Sequence, residues 1–327
     1  MKEALYYKRL KENKVQCLLC PHFCLIKNNQ VGKCNIRKNN EGILYSLSYN
    51  HPLAINLDNI EKKPLYHFLP GTKTFSIGMA GCNLKCLNCQ NWELSQRGYD
   101  NLQTKETTSS EILIQALHSK CPSISYTYSE PLISYEYVLD ITKLSKKKGL
   151  KNILVSNGFI NPEPLKNIIK YIDAANIDLK SFKDETYKTL CGAKLSPILD
   201  TIRYLYENKV HVEITTLLIP NINDSEKELE EIAKFISNIS KDIPWHISAY
   251  YPSYKLDEPP TPLKLLKQAE KTGKKYLNYV YLGNIQNDNN TYCPKCKSLL
   301  VDRNNNKILI KNNKCFNCQT EVKGIWE

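Results

Sequence analysis

Gly81-Cys82-Asn83-Leu84-Lys85-Cys86-Leu87-Asn88-Cys89-Gln90-Asn91 follows directly on the apolar run 75–79 and sets three cysteines at CxxxCxxC spacing. A structural metal site is closed by four protein ligands, whereas a reactive one keeps a position free. A cubane iron-sulfur cluster held by three cysteines leaves one iron open to another molecule. The gaps are short enough for one loop to wrap three corners of such a cluster, and Gly81 relieves the steric limit where the chain must turn tightly.

The pattern around that loop sets the fold class. From residue 74 onward, short β-branched or aromatic runs alternate with longer stretches of helical periodicity. Strands are expected near 74–79, 123–128, 151–156, 173–179, 210–218, 244–250 and 277–282, and helices near 109–119, 132–148, 162–170, 196–208, 224–239 and 262–273. Repeated βα units imply a parallel sheet with helices outside. Residues 71–285 fall short of the about 250 typical of an eight-unit barrel, so the expectation is an α/β fold, a partial (β/α)6 TIM-type barrel. Residues two apart in a strand share a face. Asn176, Asp178 and Lys180 therefore look into the barrel, as do His211, Glu213 and Thr215, and His246, Ser248 and Tyr250. Charge inside a barrel is costly unless paired or bound, so this polar interior predicts a small charged guest. Active-site groups of such barrels sit at the C-terminal strand ends, where Glu130 and the run Ser156-Asn157-Gly158 fall.

Two further cysteine sets flank the barrel. Cys17, Cys20, Cys24 and Cys34 lie in a loop-rich stretch, and residues 1–70 are expected to form an N-terminal four-cysteine metal-binding module holding zinc or a second iron-sulfur cluster. Residues 1–16 read as a short charged amphipathic segment. In residues 286–327, Cys293, Cys296, Cys315 and Cys318 enclose a stretch that reads as a hairpin turning at 304–306, the pattern of a zinc ribbon. Of the two remaining cysteines, Cys121 is expected in packing, and Cys191, before Gly192, has packing as its first reading and a thiol near the site as its second.

The chain carries 45 Lys and Arg against 33 Asp and Glu, a net charge of +12 over 327 residues. The lysines are spread along the predicted helices, so a solvated basic surface is expected rather than a nucleic-acid face. The opening stretch MKEALYYKRLKENK has no apolar signal region, and no apolar run approaches a membrane span. The expected location is cytoplasmic without membrane attachment, and the 13 cysteines are expected to bind metals rather than form disulfides.

The CxxxCxxC spacing resembles that of the radical S-adenosylmethionine (SAM) superfamily. The resemblance implies a 4Fe-4S cluster on Cys82, Cys86 and Cys89, with SAM on the open iron, cleaved by one electron to methionine and a 5'-deoxyadenosyl radical that abstracts hydrogen. It also implies site residues. Thr127-Tyr128-Ser129-Glu130-Pro131 occupies the place of the family's Gly-Gly-Glu motif, whose glutamate contacts the SAM ammonium; Tyr128 and Ser129 replace the glycines. Val155-Ser156-Asn157-Gly158-Phe159 resembles the Thr-Asn-Gly strand end of pyruvate formate-lyase activating enzymes, which places Ser156 and Asn157 near the SAM ribose or carboxylate. Asp178-Leu179-Lys180 matches that family's Asp-x-Lys motif, with Lys180 on the SAM carboxylate and Asp178 orienting it. His246 is a candidate for SAM or substrate, against its alternative as hydrogen-bonded structure.

Three further sets, the four N-terminal cysteines, Glu61-Lys62-Lys63-Pro64-Leu65-Tyr66-His67-Phe68 and Thr215-Thr216-Leu217-Leu218-Ile219-Pro220, together with the tail, look like the radical SAM enzyme family of the AmmeMemoRadiSam system. That resemblance implies a hydrogen-abstracting, activating-enzyme-like oxidoreductase acting on a protein or small molecule. Implied partners are an electron donor such as flavodoxin or ferredoxin and companions of the Memo and AMMECR types. The rival expectation is a non-catalytic metal- and nucleic-acid-binding protein.

Overall fold

Strand β1 (Ala54–Asn59) lies antiparallel against β2 (Lys73–Gly78). From β2 the sheet runs parallel through β3 (Ser123–Tyr126), β4 (Lys151–Ser156), β5 (Ala174–Asp178), β6 (His211–Leu218), β7 (Trp245–Ala249) and β8 (Val280–Gly283). The order is sequential, with β1 and β8 at opposite edges, so the barrel is open. The computed structural model describes residues 1–96 and 105–327.

The crossovers carry α1 (Ser109–His118), α2 (Tyr135–Lys147), α3 (Pro162–Ile169), α4 (Ser196–Glu207), α5 (Glu226–Ile239) and α6 (Leu263–Gly273). Their sequences explain them. Thr108 and Glu111 close a capping box at the start of α1, each side chain accepting from the other's backbone amide. In α5, Leu229, Ile232, Ala233 and Ile236 recur at helical spacing and are buried, while Glu226 and Glu228 sit in the first turn, where the helix dipole favours them. Burying such side chains stabilises by about 1.5–3 kcal/mol for each large aliphatic group. Outward strand residues meet these helices: the Trp245 ring packs on Gly273 of α6, and Ile177 joins Ile198 of α4 in one core cluster.

The polar interior is real, but at the N-terminal ends of the strands its guest is the chain itself. Segment 64–68 enters there, and the buried Glu213 carboxylate accepts the Tyr66 and His67 amides at 2.9 and 2.7 Å. The end of the tail closes over this plug: Ile325 exchanges backbone hydrogen bonds with His67 and Leu69, and Trp326 packs with Tyr66, Tyr279, Tyr281, Leu300 and Val301. The tail hairpin pairs Leu299–Asp302 with Lys307–Ile308.

The N-terminal stretch, its charged opening segment included, forms short antiparallel strands, Lys2–Glu3, Tyr7–Arg9 and Val15–Cys17 among them. It is pinned to α2 by the buried Arg37–Glu136 pair. Strand β1, at residues 54–59 of the same stretch, belongs to the central sheet. Among the described residues, no helix is long and apolar enough to cross a membrane.

Candidate active site

The loop after β2 carries Cys82, Cys86 and Cys89, and three strand ends face it. Gly81 adopts φ +85°, and a Cβ there would lie 2.4 Å from the Cys34 carbonyl oxygen, so only glycine fits where the N-terminal segment crosses the loop. The loop is pinned on its other side by Lys85 N to Cys191 O at 2.8 Å and Leu87 N to Leu190 O at 3.0 Å.

At the end of β3 the Gly-Gly-Glu place is filled by Tyr128 and Ser129, and the backbone still turns as glycine would. Tyr128 has φ +71°, a left-handed conformation that costs a non-glycine residue about 1–3 kcal/mol. Its ring is over-determined from outside the turn. The hydroxyl donates to Asp58, the Asn56 amide donates to it at 3.2 Å, and the Lys63 ammonium lies 4.4 Å from the ring centroid. The Asp58 carboxylate is held well below the usual range: burial opposes its charge, but hydrogen bonds from Lys63, Tyr128 and Lys62 outweigh it.

That turn delivers Glu130 to the interior, 2% exposed. Its Oε1 accepts Ser156 Oγ and the Leu132 amide, both at 2.9 Å, and its Oε2 accepts the Asn157 amide at 2.8 Å. Burial pushes the carboxyl up to about 7 despite these three donors. Asn157, before Gly158, donates from Nδ2 to Asn83 Oδ1 at 2.9 Å and toward Cys82 Sγ at 3.6 Å. Cys82, Glu130, Ser156 and Asn157 are thus one connected group.

The end of β5 supplies the opposite side. Lys180 Nζ bonds Asp178 Oδ2 at 2.8 Å, and the Tyr187 hydroxyl accepts the Lys180 amide at 2.9 Å. Burial works against the Lys180 charge, but Asp178 and Cys86 hold its pKa well above the usual lysine value. Cys86 takes a hydrogen bond from Cys191 and faces Lys180, which together hold its thiol low; burial pushes Cys82 and Cys89 up. Cys89 Sγ is 3.1 Å from Ser95 Oγ. Sequence reasoning passed over Asn83, Ser95 and Tyr187; of these, Asn83 stood inside the cysteine loop itself.

His246 lies outside this group. Its Nε2 is 2.6 Å from Glu213 Oε2, and its ring stacks on Tyr281 with centroids 5.4 Å apart, within the plugged end of the barrel. His211 meets the other oxygen of Glu213 at 3.0 Å. Hydrogen bonds from both histidines hold the Glu213 carboxyl far down against its burial.

The tail cysteines form a compact set. Cys293, Cys296, Cys315 and Cys318 have ligand atoms all within 4.8 Å of one another, with Cys293–Cys318 at 3.5 Å and Cys296–Cys315 at 3.6 Å. A tetrahedral ion with bonds of about 2.3 Å places its sulfurs at about 3.8 Å, so the set fits one metal ion. Hydrogen bonding with Ser298 holds Cys296 down to about 6. Cys17, Cys20, Cys24 and Cys34 line one cavity beside Arg37. Cys121 is buried in the core.

Residues 76–236 match the family model described as the radical SAM superfamily. An uncharacterized protein of Methanocaldococcus jannaschii is 40% identical over 99% of this chain and 96% of its own. A protein of the same organism named as a glycyl-radical enzyme activating enzyme is 33% identical over 61% of this chain and 76% of its own length. A domain of pyruvate-formate lyase-activating enzyme from Bacteroides vulgatus superposes with a TM-score of 0.44 at 22% identity, covering 50% of this chain and 99% of that one. With three loop thiols at the strand ends and relatives of this kind along the chain, the protein belongs to the radical SAM superfamily and is activating-enzyme-like.

Proposed function

We propose that this protein abstracts hydrogen from a protein or small-molecule substrate, with Cys82, Cys86 and Cys89 holding a 4Fe-4S cluster and Glu130, Ser156, Asn157, Asp178 and Lys180 holding SAM. The observation that carries the reading is the three-thiol loop lying between Asn157, 3.6 Å from Cys82 Sγ, and Lys180, which acts on Cys86 and Cys89. The donor set fits the cluster, since three sulfurs from one loop leave one metal position open. When bound, the cluster and SAM supply the reductive cleavage that yields methionine and the 5'-deoxyadenosyl radical.

The chain's own groups bind and orient. Glu130 faces the SAM ammonium, already held in one rotamer by Ser156 and two backbone amides. Lys180, fixed by Asp178, offers its ammonium to the SAM carboxylate. Asn157 ties the Glu130 strand end to the cysteine loop, so that the two SAM contacts keep their distance from the cluster. Segment 251–256 packs over the loop through Lys255 N to Leu87 O at 2.9 Å and a Trp92–Tyr254 stack at 5.3 Å, which helps exclude water.

The resemblance to the AmmeMemoRadiSam family supports a cytoplasmic system with Memo-type and AMMECR-type companions, fed by flavodoxin or ferredoxin. The sulfur spacing in the tail supports structural zinc there. The test is anaerobic: the reconstituted, reduced protein with SAM is expected to form 5'-deoxyadenosine, and Cys86→Ala to form none. Cleavage retained in that variant overturns the assignment.

A further inference from the structure

The two outer four-cysteine sets look alike in sequence but differ in size. In the tail, sulfur pairs stand at 3.5 and 3.6 Å, and the set is, among the described residues, the one group of three or more His, Cys, Asp or Glu side chains with all ligand atoms within 4.8 Å. Cys17, Cys20, Cys24 and Cys34 do not meet that limit, yet all four line one cavity together with Arg37. Four sulfurs drawn to about 2.3 Å from one zinc ion stand about 3.8 Å apart, inside that limit. A cubane, with iron and sulfide at alternate corners, sets its four cysteine sulfurs wider apart than a single ion does.

The surroundings suit an anionic cluster. Arg37, 1% exposed, lines the same cavity as the four sulfurs. The cavity also abuts the loop of the central site. The Cys34 carbonyl packs on Gly81, Cys34 and Ile36 cluster with Ala80 and Ile133, and His22 Nε2 lies 2.7 Å from the Asn83 carbonyl oxygen. From Asn83 the contacts continue through Asn157 to the Cys82 sulfur.

We infer that Cys17, Cys20, Cys24 and Cys34 hold a second 4Fe-4S cluster, and that it relays single electrons to the cluster on Cys82, Cys86 and Cys89; the relay rests on the radical SAM reading, the site itself does not. A reduced flavin or iron-sulfur protein gives one electron to the N-terminal cluster and is oxidised by one equivalent. That electron passes on to the central cluster, which returns the N-terminal cluster to its oxidised form. No bond is made or broken and no proton moves.

The experiment uses the full chain with Cys82, Cys86 and Cys89 all changed to alanine, purified anaerobically and reconstituted with iron and sulfide. The expected result is about four irons and four sulfides per chain, with an EPR signal on reduction that SAM does not alter. Two zinc ions and no iron would overturn the site. Should that variant not fold, the wild-type chain decides by count: about eight irons support the site and about four refute it. These readouts need no SAM turnover, so they stand or fall separately from the proposed activity. For the relay, the fully reduced wild-type chain is expected to show a spin-coupled EPR spectrum that is lost in Cys20→Ala/Cys24→Ala. A spectrum equal to the sum of two isolated clusters would overturn it.

Discussion

Replacing Glu136 with alanine strands a buried guanidinium. Arg37 is 1% and Glu136 3% exposed, and Arg37 Nη2 reaches both carboxylate oxygens at 2.8 and 2.9 Å. Without the carboxylate, Arg37 keeps hydrogen bonds only to the carbonyl oxygens of Ile133 and Leu5, each at 3.2 Å, and the Leu5 amide loses its acceptor at 2.8 Å. Those are dipoles, not a countercharge; in the metal-free protein, the form to assay, burial pushes the Cys17 and Cys34 thiols up and leaves them neutral beside Arg37. A lysine could escape by losing its proton; an arginine cannot at any accessible pH. One-sided loss of a buried pair costs about 3–5 kcal/mol, a large part of the about 5–15 kcal/mol that holds a native protein together. Changing both partners, Arg37→Met with Glu136→Leu, removes the desolvation penalty with the charge and is expected to restore most of the loss. The assay is anaerobic urea unfolding of the single and double variants, with hydrogen exchange on strand Arg37–Asn40 to detect local opening. A single variant within about 1 kcal/mol of wild type, or a double variant no better than the single, would refute the reasoning.

Acid should weaken the plugged end of the barrel through His67. Burial holds its ring down to about 3, neutral, with Nδ1 on the Lys323 carbonyl at 3.0 Å and Nε2 accepting from the Tyr281 hydroxyl at 2.8 Å. The unfolded chain takes up this proton near 6.5, so stability falls by about 1.4 kcal/mol per pH unit from there down to the folded value; His67→Gln is expected to flatten that slope in urea midpoints, and an unchanged slope sinks the idea. Glu130 works in the opposite sense. With its pKa raised from 4.5 to about 7, the folded chain holds a proton that the unfolded chain releases, so its contribution to stability declines as pH rises through that window. On the proposed SAM contact, SAM should bind more tightly at pH 8 than at pH 6, and calorimetry showing equal affinity at both would exclude an ammonium contact there. In the tail, Cys296→Ala is expected to lose one bound metal ion and to open residues 286–327 to protease, because structural zinc contributes folding energy outright. Metal analysis that finds the ion retained would count against the four-cysteine site.

The legible parts of this protein were the local ones. The seven parallel strands and six crossover helices follow from periodicities that each segment carries within itself, and CxxxCxxC is a single loop. Glu130, Asn157 and Lys180 were legible as strand-end residues because barrel chemistry gathers at one end of every strand. Strand β1 was missed: Ile55 and Leu57 keep substantial exposure on an edge strand, so its pattern carried little burial signal. His246 was placed on the interior face correctly, but its partner Glu213 could be known only from the neighbouring strand.

By itself, the sequence determined which elements form, which face of each strand is polar, and which thiols belong to one loop, since these depend on neighbours along the chain. Tertiary structure alone decided what those groups meet. It put the Tyr66 and His67 amides on Glu213 across about 147 residues of chain, held Tyr128 in a glycine's conformation through Asp58 and Lys63, and laid Cys34 against Gly81. It also drew the four tail sulfurs within 4.8 Å of one another and left the N-terminal four outside that limit. Sulfur spacing is set by how the supporting backbone packs, and buried charge by which partners close around it. Neither quantity is written in the order of residues.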